Sequence, residues 1–363
     1  MIVEGALVDS EGAHSGYLRI KSGRIVERGA IGTDSTRGRE RRVRGIALPA
    51  PVNSHTHLGD AAFGREPPAG PVSRIVAPPH GVKFRVLSAT PPAAKRAAIR
   101  EALGRMVREG VGAVVDFREE GLPGIETLRA AAKGLPIEVI ALGRPLARPL
   151  ERGELDRLLA RADGVGLSSA REEDLPTRTA IASACRTRGK RYALHASEVV
   201  REPVDAYLRP RPDLLIHMFR ATEPDLRAVA EENVAVAVCP RSNALFGHVP
   251  DFRRFERAGV RVLLGTDNAM FSAPSMLREL EFAYASQRLL RRPVSPSFLV
   301  RAAFLEPWKW LGQPERSRLD AGNPAPPLVL RLPVDDPEYQ VVTRAADHLI
   351  IRSATGGVRG PSR

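Results

Sequence analysis

Two kinds of apolar pattern alternate along the middle of the chain. Short apolar runs rich in valine, leucine, isoleucine and alanine are followed by longer stretches in which apolar residues recur every third or fourth position. The first kind predicts buried strands and the second amphipathic helices. The predicted strands are Ile46–Val52, Val111–Phe117, Ile137–Leu142, Gly164–Leu167, Arg191–His195, Leu214–His217, Val234–Cys239 and Val260–Gly265. Helices are predicted at Pro91–Glu109, Ile125–Lys133, Glu151–Arg161, Glu172–Arg188, Pro203–Leu208, Pro224–Glu231, Phe252–Ala258 and Pro274–Leu290. Strict alternation implies parallel strands joined by right-handed crossovers. Eight such units close into an α/β fold, the (β/α)8 TIM barrel. A doubly wound open sheet is the alternative, and no glycine-rich phosphate loop follows any predicted strand to support it.

The ends of the chain read differently. Met1–Val8, Gly16–Ile20 and Arg24–Arg28 are short strand-like runs between glycine turns, and Leu328–Leu332, Tyr339–Val342 and His348–Ile351 repeat the pattern at the far end. Neither set is large enough to bury a core alone. The expectation is a small β-sandwich domain built from residues 1–47 and 318–363, with a barrel domain at 48–317 inserted into it. The segment Ser295–Leu311, with Trp308 and Trp310, is expected to form an extra helix.

Composition narrows the class. Among 363 residues, 43% are hydrophobic and 27% charged, as in ordinary globular proteins. The longest apolar runs are far too short to span a bilayer, so no membrane partner is expected. No basic segment precedes an apolar core near Met1, so the expected location is cytoplasmic. Net charge is +13, yet the basic residues are nearly all arginine and are scattered along the chain. The densest cluster, Arg37–Arg44, reads as a solvated segment, and nucleic acid is not an expected partner. Cys185 and Cys239 are the only cysteines and read as reduced, packed thiols rather than ligands or nucleophiles.

Candidate chemistry collects at the predicted strand ends. His55 and His57 follow the first strand, and residues at i and i+2 on a strand share a face. His195 ends the fifth strand with Glu198 three residues on, His217 ends the sixth, and Asp267 follows the eighth. A lone histidine on an apolar strand is usually a satisfied core residue. Four of eight histidines at three strand ends, with an aspartate at a fourth, point instead to a divalent metal site.

The stretches VNSHTHLGD (52–60), LHASE (194–198), LLIHMFRA (214–221), VAVCPRSNALFG (236–247) and LLGTDNAMFSAPSMLRELEFA (263–283) resemble the amidohydrolase superfamily. The likeness is to its cytosine deaminase and chlorohydrolase-like branch, and it covers nearly the whole chain. The resemblance implies that His55, His57, His195 and Asp267 ligate one Zn²⁺, with Fe²⁺ as the alternative. It implies that Glu198 moves a proton between water and substrate, that His217 orients or polarises the attacked group, and that Asp267 also acts as a base. Binuclear relatives usually bridge two metals with a lysine at the fourth strand. Here no lysine lies between Lys133 and Lys190, so one metal is expected. The implied reaction is hydrolytic deamination of an amino-substituted heterocycle. Hydrolysis of a cyclic amide, dechlorination of a heterocycle by the same site, or a non-catalytic binding module are the alternatives.

The loop after the first strand is long, from Leu58 to about Thr90, and long ordered loops are often functional. His80, Lys83, Arg118 and Arg144 are candidates to bind an anionic group on a small-molecule substrate. The competing reading places them in ion pairs with Glu119 and Asp116. Ser242 and Asn243, after the seventh strand, are further candidates near the substrate. Relatives of the branch commonly assemble, so a homo-oligomer is also expected.

Overall fold

A computed structural model describes residues 1–33, 40–64, 66–323, 328–347 and 350–351. It divides into two compact units, Val52–Val294 and the combination of Met1–Pro51 with Ser295–Arg363.

In the central unit the strands are Val52–His57, Ala113–Arg118, Glu138–Gly143, Gly164–Leu167, Arg191–Ala196, Leu214–His217, Ala235–Val238 and a last strand in two pieces, Val262–Leu264 and Asp267–Asn268. Each pairs in parallel with the next. The first piece of the last strand pairs with Ala235–Val238 and the second with Val52–His57, so the sheet curls back onto its first strand. This is a TIM-barrel-like architecture, with helices such as Pro92–Arg108, Gly121–Ala132, Arg152–Arg161, Leu175–Thr187, Glu223–Glu231 and Met276–Leu289 between and after the strands. The strands are buried along almost their whole length, which is why they read as continuous apolar runs. The helices carry apolar residues on one side only, as in Leu155, Leu158 and Leu159 of Arg152–Arg161.

The first barrel strand lies one segment later than expected. Ile46–Leu48 is the end of Arg42–Leu48, which pairs in parallel with Ile2–Asp9 in the other unit. The barrel strand is Val52–His57 itself, so His55 and His57 lie within it.

In the other unit, Ile2–Asp9, Gly12–Lys21, Arg24–Gly29, Arg42–Leu48, Leu328–Leu330 and Ile350–Ile351 form one six-stranded mixed sheet. The described residues thus give a single hydrogen-bonded sheet, and the two-sheet sandwich expected from sequence is not confirmed. The predicted strand His348–Ile351 falls partly outside the described residues, at 348 and 349, as do positions 37–39 of the arginine cluster. Tyr339–Val342, predicted as a strand, lies within the helix Pro337–Arg344. Proline in its first turn favours a helix start, and Val341 and Val342 form only a short apolar run that cannot distinguish strand from helix. The predicted helix Ser295–Leu311 is present as Pro296–Val300, a wider turn at Arg301–Leu305, and Glu306–Trp310. Trp308 is fully buried there and donates to the Ala50 carbonyl at 2.8 Å. Among the described residues, no helix is long and apolar enough to cross a membrane.

Candidate active site

The strand ends of the barrel bring His55, His57, His195, His217 and Asp267 together. Ring centroids of His55 lie 4.9 Å from those of both His57 and His195, and the His195 and His217 centroids are 5.3 Å apart. His55 Nε2 is 3.3 Å and His57 Nε2 3.7 Å from Asp267 Oδ1, while His57 Nε2 and His195 Nε2 are 3.4 Å apart. Ligands about 2.0–2.1 Å from a tetrahedral zinc lie about 3.3 Å from one another, so this spacing suits one ion. Among the described residues, two sets of ligand atoms lie within 4.8 Å of one another: His55 with His57 and Asp267, and His55 with His195 and His217.

The residues fit a metal on independent grounds. Both ring nitrogens of His55 are buried without a hydrogen-bond partner among the described residues. An unpaired buried polar atom costs about 1–3 kcal/mol, and a cation at Nε2 offsets that cost. Burial pushes the His55 imidazole down to about 3, so the ring is neutral, which is the ligating form. His195 is held well below its usual range by burial and by the neighbouring imidazoles. Its Nδ1 donates to the Leu167 carbonyl at 2.9 Å, leaving Nε2 as the free lone pair. For Asp267, burial opposes ionisation, but the neighbouring imidazoles, His55 foremost, outweigh it and hold the carboxylate well below its usual range.

Local backbone explains the convergence. Asp267 and His217 adopt left-handed φ angles of 59° and 74°, a conformation costing on the order of 1–3 kcal/mol for such residues. Gly265 lets the last strand approach the first, because a Cβ there would lie 2.8 Å from the His55 nitrogen.

Glu198 and His217 face each other, with Glu198 Oε1 3.4 Å from His217 Nε2. Burial raises the Glu198 carboxyl above its ordinary value. Asn243 donates its amide to His217 Nδ1 at 3.1 Å, which leaves the ring proton on Nε2, toward Glu198. Ser242 donates to Asp267 Oδ2 at 2.5 Å and accepts from Asn268 at 2.7 Å. Ser242 and Asn243 thus brace the cluster. Ser242 is not among the residues lining the cavity, and neither is Asn243.

The cavity has a volume of about 870 Å³ and is lined by His57, His195, Glu198, His217 and Asp267 at its base. Val72, Pro78, Phe84, Leu146, Val199, Val200 and Phe246 line its walls. The four cationic candidates separate. His80 is exposed and does not line the cavity. Lys83 and Arg118, 3% and 1% exposed, are sunk into ion pairs with Asp60, Asp116 and Glu119. Arg144 lines the wall, with Nε held by Glu172 at 2.5 Å and the guanidinium 5.7 Å from the Phe84 ring centre. Glu172 was not singled out from sequence. Its only signal is a carboxylate just past the fourth strand, where it also accepts from the Ser168 amide and hydroxyl. The fourth strand offers Gly166 and Leu167 to the cavity and carries no lysine.

A curled parallel sheet with imidazoles and carboxylates gathered at its strand ends defines a class: barrel hydrolases that act through a bound divalent metal. The chain belongs to the amidohydrolase family, whose profile matches residues 46–208 and 212–348. It is 33% identical over 326 residues to a putative aminohydrolase of Methanothermobacter thermautotrophicus, covering 84% of each chain. The fold is similar to that of a zinc-bound atrazine chlorohydrolase from Arthrobacter aurescens, with a TM-score of 0.74 and 18% identity over 94% of this chain and 90% of that one. It is also similar to a zinc-bound adenosine deaminase from Xanthomonas campestris, with a TM-score of 0.74 and 17% identity over 96% and 91% of the two chains. The protein is a hydrolytic enzyme of this family, and its strand-end cluster suits a divalent metal.

Proposed function

We propose that the enzyme is a deaminase, which replaces the exocyclic amino group of a nitrogen heterocycle with oxygen and releases ammonia. The observation that carries this reading is the facing pair of Glu198 and His217 beside the ligand cluster, in one cavity. His55, His57, His195 and Asp267 would hold a single metal, read as zinc. A metal in that position supplies Lewis acidity that brings the pKa of a water toward neutrality.

The side chains then supply the proton movements. Glu198, whose carboxyl burial raises above its ordinary value, sits where it can pass a proton to the ring nitrogen beside the attacked carbon. His217, with its proton on Nε2, donates a hydrogen bond that fixes the amino-bearing carbon. Asp267 takes the proton that water loses and returns it to the departing amine, which leaves as ammonia, while Glu198 regains its proton from the new hydroxyl as the carbonyl forms. The sum is one water consumed and one ammonia released, with C–O formed and C–N broken.

Arg144 supports a finer reading of the substrate. Among the described residues its two terminal amino groups carry no hydrogen bond, and Arg144 stands on a cavity wall that also presents the apolar Phe84, Pro145 and Leu146. An amino-heterocycle with an anionic arm would place that arm at Arg144.

Ammonia release across a panel of amino-purines, amino-pyrimidines, pterins and amino-triazines tests the reaction. Turnover on at least one is expected, with Glu198→Gln losing about 10²–10⁴-fold in kcat. Release of chloride, or opening of a cyclic amide without ammonia, would overturn the deaminase reading. Arg144→Met is expected to raise KM for an anionic substrate while leaving kcat nearly unchanged.

A further inference from the structure

We propose that Glu119 is the positioning residue for the His57 imidazole, and that the buried ion cluster on the first two barrel strands serves to hold it there. The inference rests on the metal reading above. Glu119 Oε1 lies 2.7 Å from His57 Nδ1 and 2.5 Å from Lys83 Nζ, while Oε2 accepts from Arg118 Nη2. An ionised carboxylate only accepts, so His57 carries its proton on Nδ1 and turns the Nε2 lone pair toward His195 and Asp267.

The same strand grips the main chain around His57. Asp116 Oδ1 accepts from the Thr56 hydroxyl at 2.9 Å and from the Leu58 amide at 2.6 Å. Backbone and ring of His57 are therefore both fixed by carboxylates of one neighbouring strand and its end. Gly59 makes room for this, since a Cβ there would collide with the Arg118 guanidinium.

The cost of the arrangement argues for a purpose beyond packing. Asp60, Asp116, Arg118, Lys83 and Glu119 are each at most 5% exposed. Lys83 also meets Asp60 Oδ2 at 3.1 Å, and Arg118 Nη1 meets Asp116 Oδ2 at 3.3 Å. Apolar residues of similar volume commonly stabilise a core as well as a buried ion cluster does. What they cannot supply is a fixed negative charge at Nδ1 of a histidine. Two cations against three carboxylates leave one negative charge, and Glu119 is the carboxylate of the cluster that touches His57.

Zinc affinity of the whole chain, measured by competition with a chromophoric chelator, tests the proposal, with thermal melting as the check on folding. Failure of the unsubstituted protein to bind Zn²⁺ would overturn the metal reading itself. If that protein binds, Glu119→Gln is expected to weaken the zinc Kd about 10- to 100-fold and to speed metal loss to chelator. The pair Glu119→Gln with Lys83→Met keeps the net charge of the cluster unchanged and is expected to show the same loss in a folded chain. Wild-type zinc affinity in either folded variant would overturn the positioning role. Long-range ¹H–¹⁵N spectra of the zinc-loaded unsubstituted protein decide the point without any substitution. A His57 proton on Nδ1 is expected, and a proton on Nε2 would overturn the proposal.

Discussion

On the side of the first two barrel strands, five buried charged groups meet opposite charges at close range, with Lys83 between Asp60 and Glu119 and Arg118 between Asp116 and Glu119. On the side of the last two strands, neutral donors do the holding: Ser242 on Asp267 and Asn243 on His217. Behind that second side the buried carboxylate Glu279 accepts from the Arg241 amide at 2.7 Å, but its Oε2 is 3.6 Å from the guanidinium and has no hydrogen-bond partner among the described residues. Burial favours the neutral form of both Glu119 and Glu279, with opposite outcomes. Lys83, His57 and Arg118 outweigh it at Glu119 and hold that carboxylate well below its usual range. At Glu279 burial prevails over Arg241 and pushes the carboxyl up to about 8. The two sites differ in how many partners the acid meets: Lys83, His57 and Arg118 at Glu119, and at Glu279 a single guanidinium 3.6 Å away.

Breaking the paired side should have the largest effect. Lys83→Met strands Asp60, takes one of three partners from Glu119, and is expected to cost about 3–5 kcal/mol in urea unfolding. On the neutral side, Ser242→Ala removes one donor to a carboxylate and is expected to cost about 1–3 kcal/mol. Equal costs for the two substitutions would erase the contrast between the sides. The smallest effect is a pH slope. Glu279 has an ordinary value near 4.5 and a folded value of about 8, so between these the folded chain keeps a proton that the unfolded chain has lost. Stability from this group therefore falls as pH rises through that window, with no penalty below it and the full penalty above. Glu279→Gln should gain stability relative to the parent as pH increases from about 5 to about 8, and a pH-independent difference would contradict the assignment.

Much of this was legible in the sequence. Barrel strands buried on both faces read as unbroken apolar runs, and the helices between them as one-sided patterns. His55, His57, His195, His217 and Asp267 stood out because an apolar strand leaves polar residues at its end unexplained unless they share a task. The fate of Lys83 and Arg118 was not legible, because which carboxylates they meet depends on how the long segment after the first strand folds back. That segment contains the helices Val72–Ile75 and Val82–Ala89, the second of which carries Lys83 inward. Glu119 was visible only as a partner for neighbouring cations, since its contact with His57 spans 62 positions. The start of the first barrel strand and the helix at Pro337–Arg344 were misjudged where an apolar run was too short to fix its own element.

The most direct test of the account is the metal content of the chain, measured by elemental mass spectrometry on protein purified without chelators beside His55→Ala. The account predicts one equivalent of zinc or iron per chain, lost in His55→Ala. Two equivalents, or none after reloading with either metal, would contradict it.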